Sequence, residues 1–225
     1  MTVCVIGANG SMGRRYQAIL KYLGVPFTTI DLGDNDFHDR FDSENFWSGF
    51  ARAIIAAPTS THYFWAFQCI KNKKPFLCEK PLSKKVDECE HLMQFAKESG
   101  VQAFVVNNYW YAFRETLGKH KDPFDWNITY NYYNTGKDGL WWDVCQLLYI
   151  NEGAWVQTEA PSWWCTIKGT SVPYKWLEMS YVWMLQDWIG GETENLWTLE
   201  DGLKMTQAAL KRIDRENCSS NTSKA

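Results

Sequence analysis

The chain has 225 residues, 45% hydrophobic and 22% charged, with a net charge of -3 and a pI near 5.8. That is the composition of a globular protein with room for one large or two small domains. The weak negative charge argues against nucleic acid or an anionic membrane surface as a partner, and no run of about 18 apolar residues offers a membrane span.

The chain opens on Val3-Cys-Val-Ile-Gly-Ala-Asn-Gly-Ser-Met-Gly13. Val3, Val5 and Ile6 favour a buried strand. Gly7, Gly10 and Gly13 then form a turn, and from Met12 the apolar residues Tyr16, Ile19, Leu20 and Leu23 repeat at helical spacing. Strand, glycine turn and helix together form a dinucleotide-binding context. Gly7 permits the turn, Gly10 lets backbone approach a pyrophosphate, and Gly13 lets the helix pack closely. The first-turn N–H groups would face the anion. The spacing is GxxGxxG rather than GxGxxG.

Gly24 stops the helix and Val25–Ile30 reads as a second strand. Asp31 follows it, where a carboxylate can accept hydrogen bonds from an adenosine ribose. It would repel a 2′-phosphate and so favours NAD over NADP, while Arg14 and Arg15 pull the other way. Phe46–Phe50 suggests a short helix, and Ala53–Ala57 a third strand. Pro58-Thr-Ser-Thr-His62 opens a helix with Ser60 or Thr61 as its expected N-cap. Pro75–Cys78 is another strand, ending at Glu79-Lys80-Pro81. A helix expected to be capped by Ser83 and closed by Gly100 precedes a strand at Val101–Val106. This alternation predicts a parallel sheet with helices on both faces.

The period then changes. Trp126–Asn134 and Ser162–Lys168 read as strands of an open antiparallel sheet, as does Val172–Glu178. Gly139–Ile150 and Ser180–Ile189 have helical spacing. Thr198-Leu-Glu-Asp201 resembles a capping box ahead of a final helix. The fold class expected is α/β, a Rossmann-type domain over 1–110, then a shortened α+β domain over 111–216 and a flexible tail over 217–225. Ten of the thirteen tryptophans lie beyond Trp110, so the second domain needs a large aromatic core, a subunit interface or a sugar-stacking surface.

Seven cysteines, an odd number with no CxxC, indicate neither a disulfide framework nor a metal site. No positively charged apolar leader opens the sequence, and a reducing cytoplasm is expected.

Three segments together resemble the Gfo/Idh/MocA family of glucose–fructose oxidoreductase and inositol dehydrogenase-like proteins: Gly7-Ala-Asn-Gly-Ser-Met-Gly13, Ile54-Ile-Ala-Ala-Pro-Thr-Ser-Thr-His62 and Phe76-Leu-Cys-Glu-Lys-Pro81. Gly139-Leu-Trp-Trp-Asp-Val-Cys-Gln146 is a weaker fourth match. The resemblance implies an NAD(P)-dependent oxidoreductase acting on a hydroxyl or carbonyl of a sugar, cyclic polyol or nucleotide sugar. It implies cofactor contacts from Gly7, Ala8, Asn9, Gly10, Ser11, Met12, Asp31, Ala57, Pro58, Thr59, His62, Glu79 and Lys80. It also implies that Lys80 sits beside nicotinamide and substrate and helps move the reacting proton. A partly desolvated lysine beside a neutral ring suits such work. The family's sheet-to-sheet homodimer would use the second domain, here left with about 115 residues.

Where many family members carry a histidine after the aspartate matching Asp143, this chain has Gln146 or Leu147. Glutamine does not titrate. Three accounts follow. Lys80 carries the proton alone, with Asp143 and Gln146 orienting the substrate. Tyr109 or Tyr111 replaces the histidine. Or the protein binds dinucleotide or sugar without turnover, as a sensor.

Overall fold

A computed structural model describes residues 1–31, 45–118, 128–131, 140–150, 155–157, 164–167 and 170–222. The chain divides into two compact units, Met1–Val106 with Trp197–Leu203, and Asn107–Leu196 with Lys204–Ala225.

The first unit is built on β1 (Val3–Ile6), α1 (Ser11–Tyr22), β2 (Phe27–Ile30), a 3₁₀ turn (Trp47–Gly49), β3 (Arg52–Ile55), α2 (Thr59–Lys71), β4 (Phe76–Cys78), α3 (Val86–Ser99) and β5 (Ala103–Val105). A late strand, β10 (Trp197–Thr198), joins the sheet, followed by the start of α8 (Leu199–Thr222). The strand order is β10-β5-β4-β3-β1-β2. All pairs are parallel except β10 on β5. Strands β1 and β4 are wholly buried, which is why they read as unbroken apolar runs. The chain leaves β1 for β2 on one side and resumes at β3 on the other. The carboxyl ends of β1 and β3 thus make the switch point where ligands collect in such sheets.

The second unit holds α4 (Asn108–Leu117), β6 (Ile128–Asn131), α5 (Leu140–Asp143), α6 (Cys145–Ile150), β7 (Trp155–Gln157), β8 (Trp164–Ile167), β9 (Thr170–Ser171) and α7 (Tyr174–Gly190), with the remainder of α8. Its sheet runs β7-β6-β8-β9. Pairing is antiparallel except β6 with β7, which is parallel. Helix α4 packs along α7.

Several expectations need correction. Val172–Glu178 is not a strand: Pro173 is the N-cap of α7, and Leu177, Tyr181, Leu185 and Trp188 bury one helical face. Trp197–Leu203, expected in the second domain, packs with the first unit. Residues 217–222, expected as tail, continue α8, while 223–225 lie outside the described residues. Ser83 is not the cap of α3. That position is Lys85, whose N–H donates to the Ser83 hydroxyl at 3.1 Å. Pro58, not Ser60 or Thr61, caps α2. Among the described residues no helix is long and apolar enough to cross a membrane, and no cluster of His, Cys, Asp or Glu is placed to hold a metal.

Candidate functional site

The first loop of the first unit forms the floor of the site. Gly7 leaves β1 at φ +80°, and its N–H donates to the Ile30 carbonyl at 2.9 Å. A Cβ on Gly7 would lie 2.5 Å from the backbone of Ala57, so the loops after β1 and β3 meet without room for a side chain. A Cβ on Gly13 would lie 2.2 Å from the Gly7 carbonyl oxygen, which sets how closely α1 approaches the loop. Both positions need glycine for internal reasons.

Gly10 is different. Its φ is -72°, open to any residue, and an added Cβ would meet nothing closer than 3.4 Å. No packing contact among the described residues demands glycine there. Gly10 is the exposed N-cap of α1, with no side-chain cap over the first turn. The residues therefore fit a dinucleotide diphosphate: bare amides at a helix N-terminus, with the one uncrowded glycine where the ligand's oxygens would approach. Ala8 is buried, while Asn9 and Ser11 are exposed and Met12 is half-buried beside this turn. The Asn9 N–H donates to Asp31 Oδ2 at 2.9 Å, which holds the carboxylate at the rim of the glycine loop.

The second wall is the turn after β4. The Glu79 N–H donates to the Ile55 carbonyl at 2.8 Å, which extends the parallel pairing past the strand end. The Glu79 side chain turns inward and is buried. Its Oε1 accepts from Tyr16 Oη at 2.6 Å, and its Oε2 accepts the Lys80 N–H at 3.1 Å. Tyr16 thus ties the helix behind the glycine loop to the turn carrying Lys80. The sequence signal for it was a tyrosine on a buried helical face, whose hydroxyl needs a partner. The Lys80–Pro81 bond is cis, and Lys80 is half-buried.

His62, on the first turn of α2, links these walls from beneath. It is 1% exposed. Nδ1 lies 2.8 Å from the Pro81 carbonyl oxygen and Nε2 lies 2.8 Å from that of Ala57. A neutral imidazole can donate to only one of them. Protonation would satisfy both, and Glu79 also favours it. Burial outweighs these effects, aided by Lys80, and lowers the pKa. His62 is therefore a brace between the Ala57 loop and the Lys80–Pro81 turn. Pro58 and Thr59 begin the same helix.

The remaining expected residues belong to the second unit. Asp143 is the last residue of α5, and its side chain lies outside the described ones. Gln146 is fully buried. Its Oε1 accepts the Tyr109 N–H at 3.3 Å and its Nε2 donates to Asn108 Oδ1 at 3.1 Å. In this conformation both ends of the amide serve the first turn of α4. Tyr109 is half-buried, its ring 5.9 Å from that of Phe113. Tyr111 donates to Asp187 Oδ2 at 2.8 Å. Burial and that carboxylate hold its proton well above the usual tyrosine range, which counts against it as an acid near neutrality.

Comparison with known proteins bears on the fold that carries these residues. Residues 48–107 match the Gfo/Idh/MocA family, described as an oxidoreductase family with an NAD-binding Rossmann fold. An inositol 2-dehydrogenase of Rubrobacter xylanophilus is 34% identical over a match covering 44% of this chain and 33% of that protein. The chain thus spans about a third of the length of that relative. A Gfo/Idh/MocA family oxidoreductase from Vibrio cholerae superposes with a TM-score of 0.74 at 13% identity, over 99% of each chain. The WlbA dehydrogenase of Thermus thermophilus, in complex with NAD and UDP-GlcNAcA, gives 0.64 at 16% identity over 93% of each chain. At these identities the superpositions speak to the fold.

Proposed function

We infer that this chain, whose residues 48–107 match the Gfo/Idh/MocA oxidoreductase family, is an NAD(P)-dependent oxidoreductase acting on a hydroxyl or carbonyl carbon of a sugar-like molecule. The observation that carries the reading is the contrast among the glycines. Gly7 and Gly13 are demanded by packing, whereas Gly10, at the open N-terminus of α1, is not crowded among the described residues and leaves its side free for a ligand. The relative named inositol 2-dehydrogenase and the UDP-GlcNAcA complex support a cyclic polyol or sugar derivative as substrate.

The coenzyme, when bound, supplies hydride exchange. The chain's own residues do the rest. The first turn of α1 binds the diphosphate through its amides. Asp31, steadied by the Asn9 N–H, accepts from ribose hydroxyls and disfavours a 2′-phosphate, which supports NAD over NADP. Glu79 fixes the Lys80 backbone, with Tyr16 holding Glu79. Lys80 Nζ bonds the reacting oxygen and gives or takes its proton. Ala57, Pro58 and Thr59 form the opposite lip, braced by His62.

Lys80→Ala tests this. NADH binding, followed by nicotinamide fluorescence, should stay near wild type. Turnover read at 340 nm on a panel of polyols and nucleotide sugars should fall by roughly 10²–10⁴-fold. Undiminished turnover would remove Lys80 from the reaction. The engagement of Gln146 with α4 favours a second reading, a dinucleotide-binding protein without turnover. It predicts NADH uptake by the wild type with no 340 nm change on any substrate.

A further inference from the structure

Helix α1 carries two features within its first two turns. Ser11, Met12 and Gly13 offer amides with no side-chain cap over them, and Tyr16, 0% exposed, follows one turn later. The glycine loop and this part of the helix are tied into one piece. Gln17 Nε2 donates to the carbonyls of Ala8 and Gly13 at 2.8 and 3.3 Å, and the Arg14 N–H donates to the Gly10 carbonyl at 3.0 Å. The close seat of Gly13 against the Gly7 carbonyl leaves little slack between them.

The turn after β4 depends on that piece. The Glu79 N–H is still paired with the sheet, donating to the Ile55 carbonyl at 2.8 Å. The next amide, that of Lys80, is accepted by a side chain, Glu79 Oε2 at 3.1 Å. The other oxygen of the same buried carboxylate accepts from Tyr16 Oη at 2.6 Å. Glu79 is thus an acceptor with two sides, α1 on one oxygen and the lysine backbone on the other. A buried carboxylate that loses one donor reorients or draws in water, because leaving it unsatisfied is costly. The set of the Lys80 backbone therefore follows the position of α1. The far end of the turn is anchored separately, with the Pro81 carbonyl oxygen 2.8 Å from His62 Nδ1.

We propose that Tyr16 is a positioning residue that couples occupancy of the diphosphate turn to the backbone of Lys80. An anion seated on the first turn of α1 steadies the helix, the Tyr16–Glu79 bond passes this to the carboxylate, and the carboxylate holds the Lys80 N–H. The inference rests on the coenzyme reading given above and adds an order of assembly to it. The phosphate half of the coenzyme sets the lysine before a substrate arrives.

The probe is ADP-ribose, which carries the diphosphate and lacks the nicotinamide ring. Amide hydrogen exchange is followed by NMR on the full chain, with and without saturating ADP-ribose. Exchange at the Lys80 amide should slow about five- to tenfold on binding in the wild type, and less than about twofold in Tyr16→Phe, which keeps the ring and loses the hydroxyl. The Glu79 amide, held by the Ile55 carbonyl, is the internal comparison and should respond alike in both proteins. Glu79→Gln retains an acceptor for Tyr16 but not one for the Lys80 N–H, so it should also lose the slowing, and it keeps the test informative if Tyr16→Phe does not fold. If ADP-ribose binds and the Lys80 amide does not slow in the wild type, or slows equally in the variants, the coupling is overturned and the coenzyme reading stands. If the wild type takes up no ADP-ribose, both fall.

Discussion

Three glycines spaced alike in sequence make unlike demands on the molecule. A methyl at Gly13 would sit 2.2 Å from the Gly7 carbonyl oxygen, so Gly13→Ala should destabilise by about 1–3 kcal/mol and abolish coenzyme uptake with it. A methyl at Gly10 meets only ordinary contact, so Gly10→Ala should change stability by less than about 1 kcal/mol. On the proposed reading it should still weaken NADH binding about tenfold or more, because the methyl would occupy the side from which the diphosphate would approach. Urea midpoints and nicotinamide fluorescence separate the two effects. A Gly10→Ala protein binding like wild type would place the diphosphate elsewhere. His62 makes a second prediction. Burial lowers its folded pKa below the ordinary 6.5, so the unfolded chain takes up the proton first. Its contribution is complete above about pH 6.5 and declines as pH falls from there toward the folded value. Urea midpoints at pH 7.5 and 5.0 should show the decline, and His62→Gln should flatten it. The glycine turn, Asp31 and Lys80 stand out in the sequence as candidates because each is tied to a local motif. Tyr16 was legible only as core, since its partner Glu79 is 63 positions away and no local pattern records that bond.

At the scale of elements, local chemistry was read well where it closes on itself. The Thr198 N–H donates to Asp201 Oδ2 at 2.8 Å and the Asp201 N–H reaches back to Thr198 Oγ1 at 3.4 Å, the reciprocal bonds expected of the capping box. Thr198→Ala should therefore cost about 1 kcal/mol, seen as a lower thermal midpoint, with NADH affinity unchanged. Reading failed where two periods competed. Val172, Tyr174 and Trp176 alternate like a strand, yet Leu177, Tyr181, Leu185 and Trp188 continue at helical spacing. Burial of that longer stripe, with Pro173 at the N-cap, decides for α7. Strand β10 has two residues, too few to carry any period, and its existence is set by the open side of β5.

For the whole molecule, the alternation of strand and helix over the first hundred residues was enough to give a parallel sheet, because crossover handedness leaves few alternatives. What sequence reading could not give was the return of Trp197–Leu203 to that sheet, since pairing across about ninety residues depends on the fold of everything between. That return makes a prediction. A fragment ending at Val106 should self-associate on size exclusion, because Phe104 and Val105 lose their partners Thr198 and Trp197 and leave an unpaired strand edge. A monomeric fragment that binds NADH would show the return segment to be dispensable.

The same return fixes an order of events during synthesis. The sheet built by residues 3–105 cannot be finished until Trp197, which pairs with Val105, and Gly202, where a Cβ would lie 2.7 Å from the Val105 side chain, have been made. Domains usually mature in the order they are translated. Here the first unit waits, with one flank of its sheet uncovered, until a segment about ninety residues beyond β5 has been made.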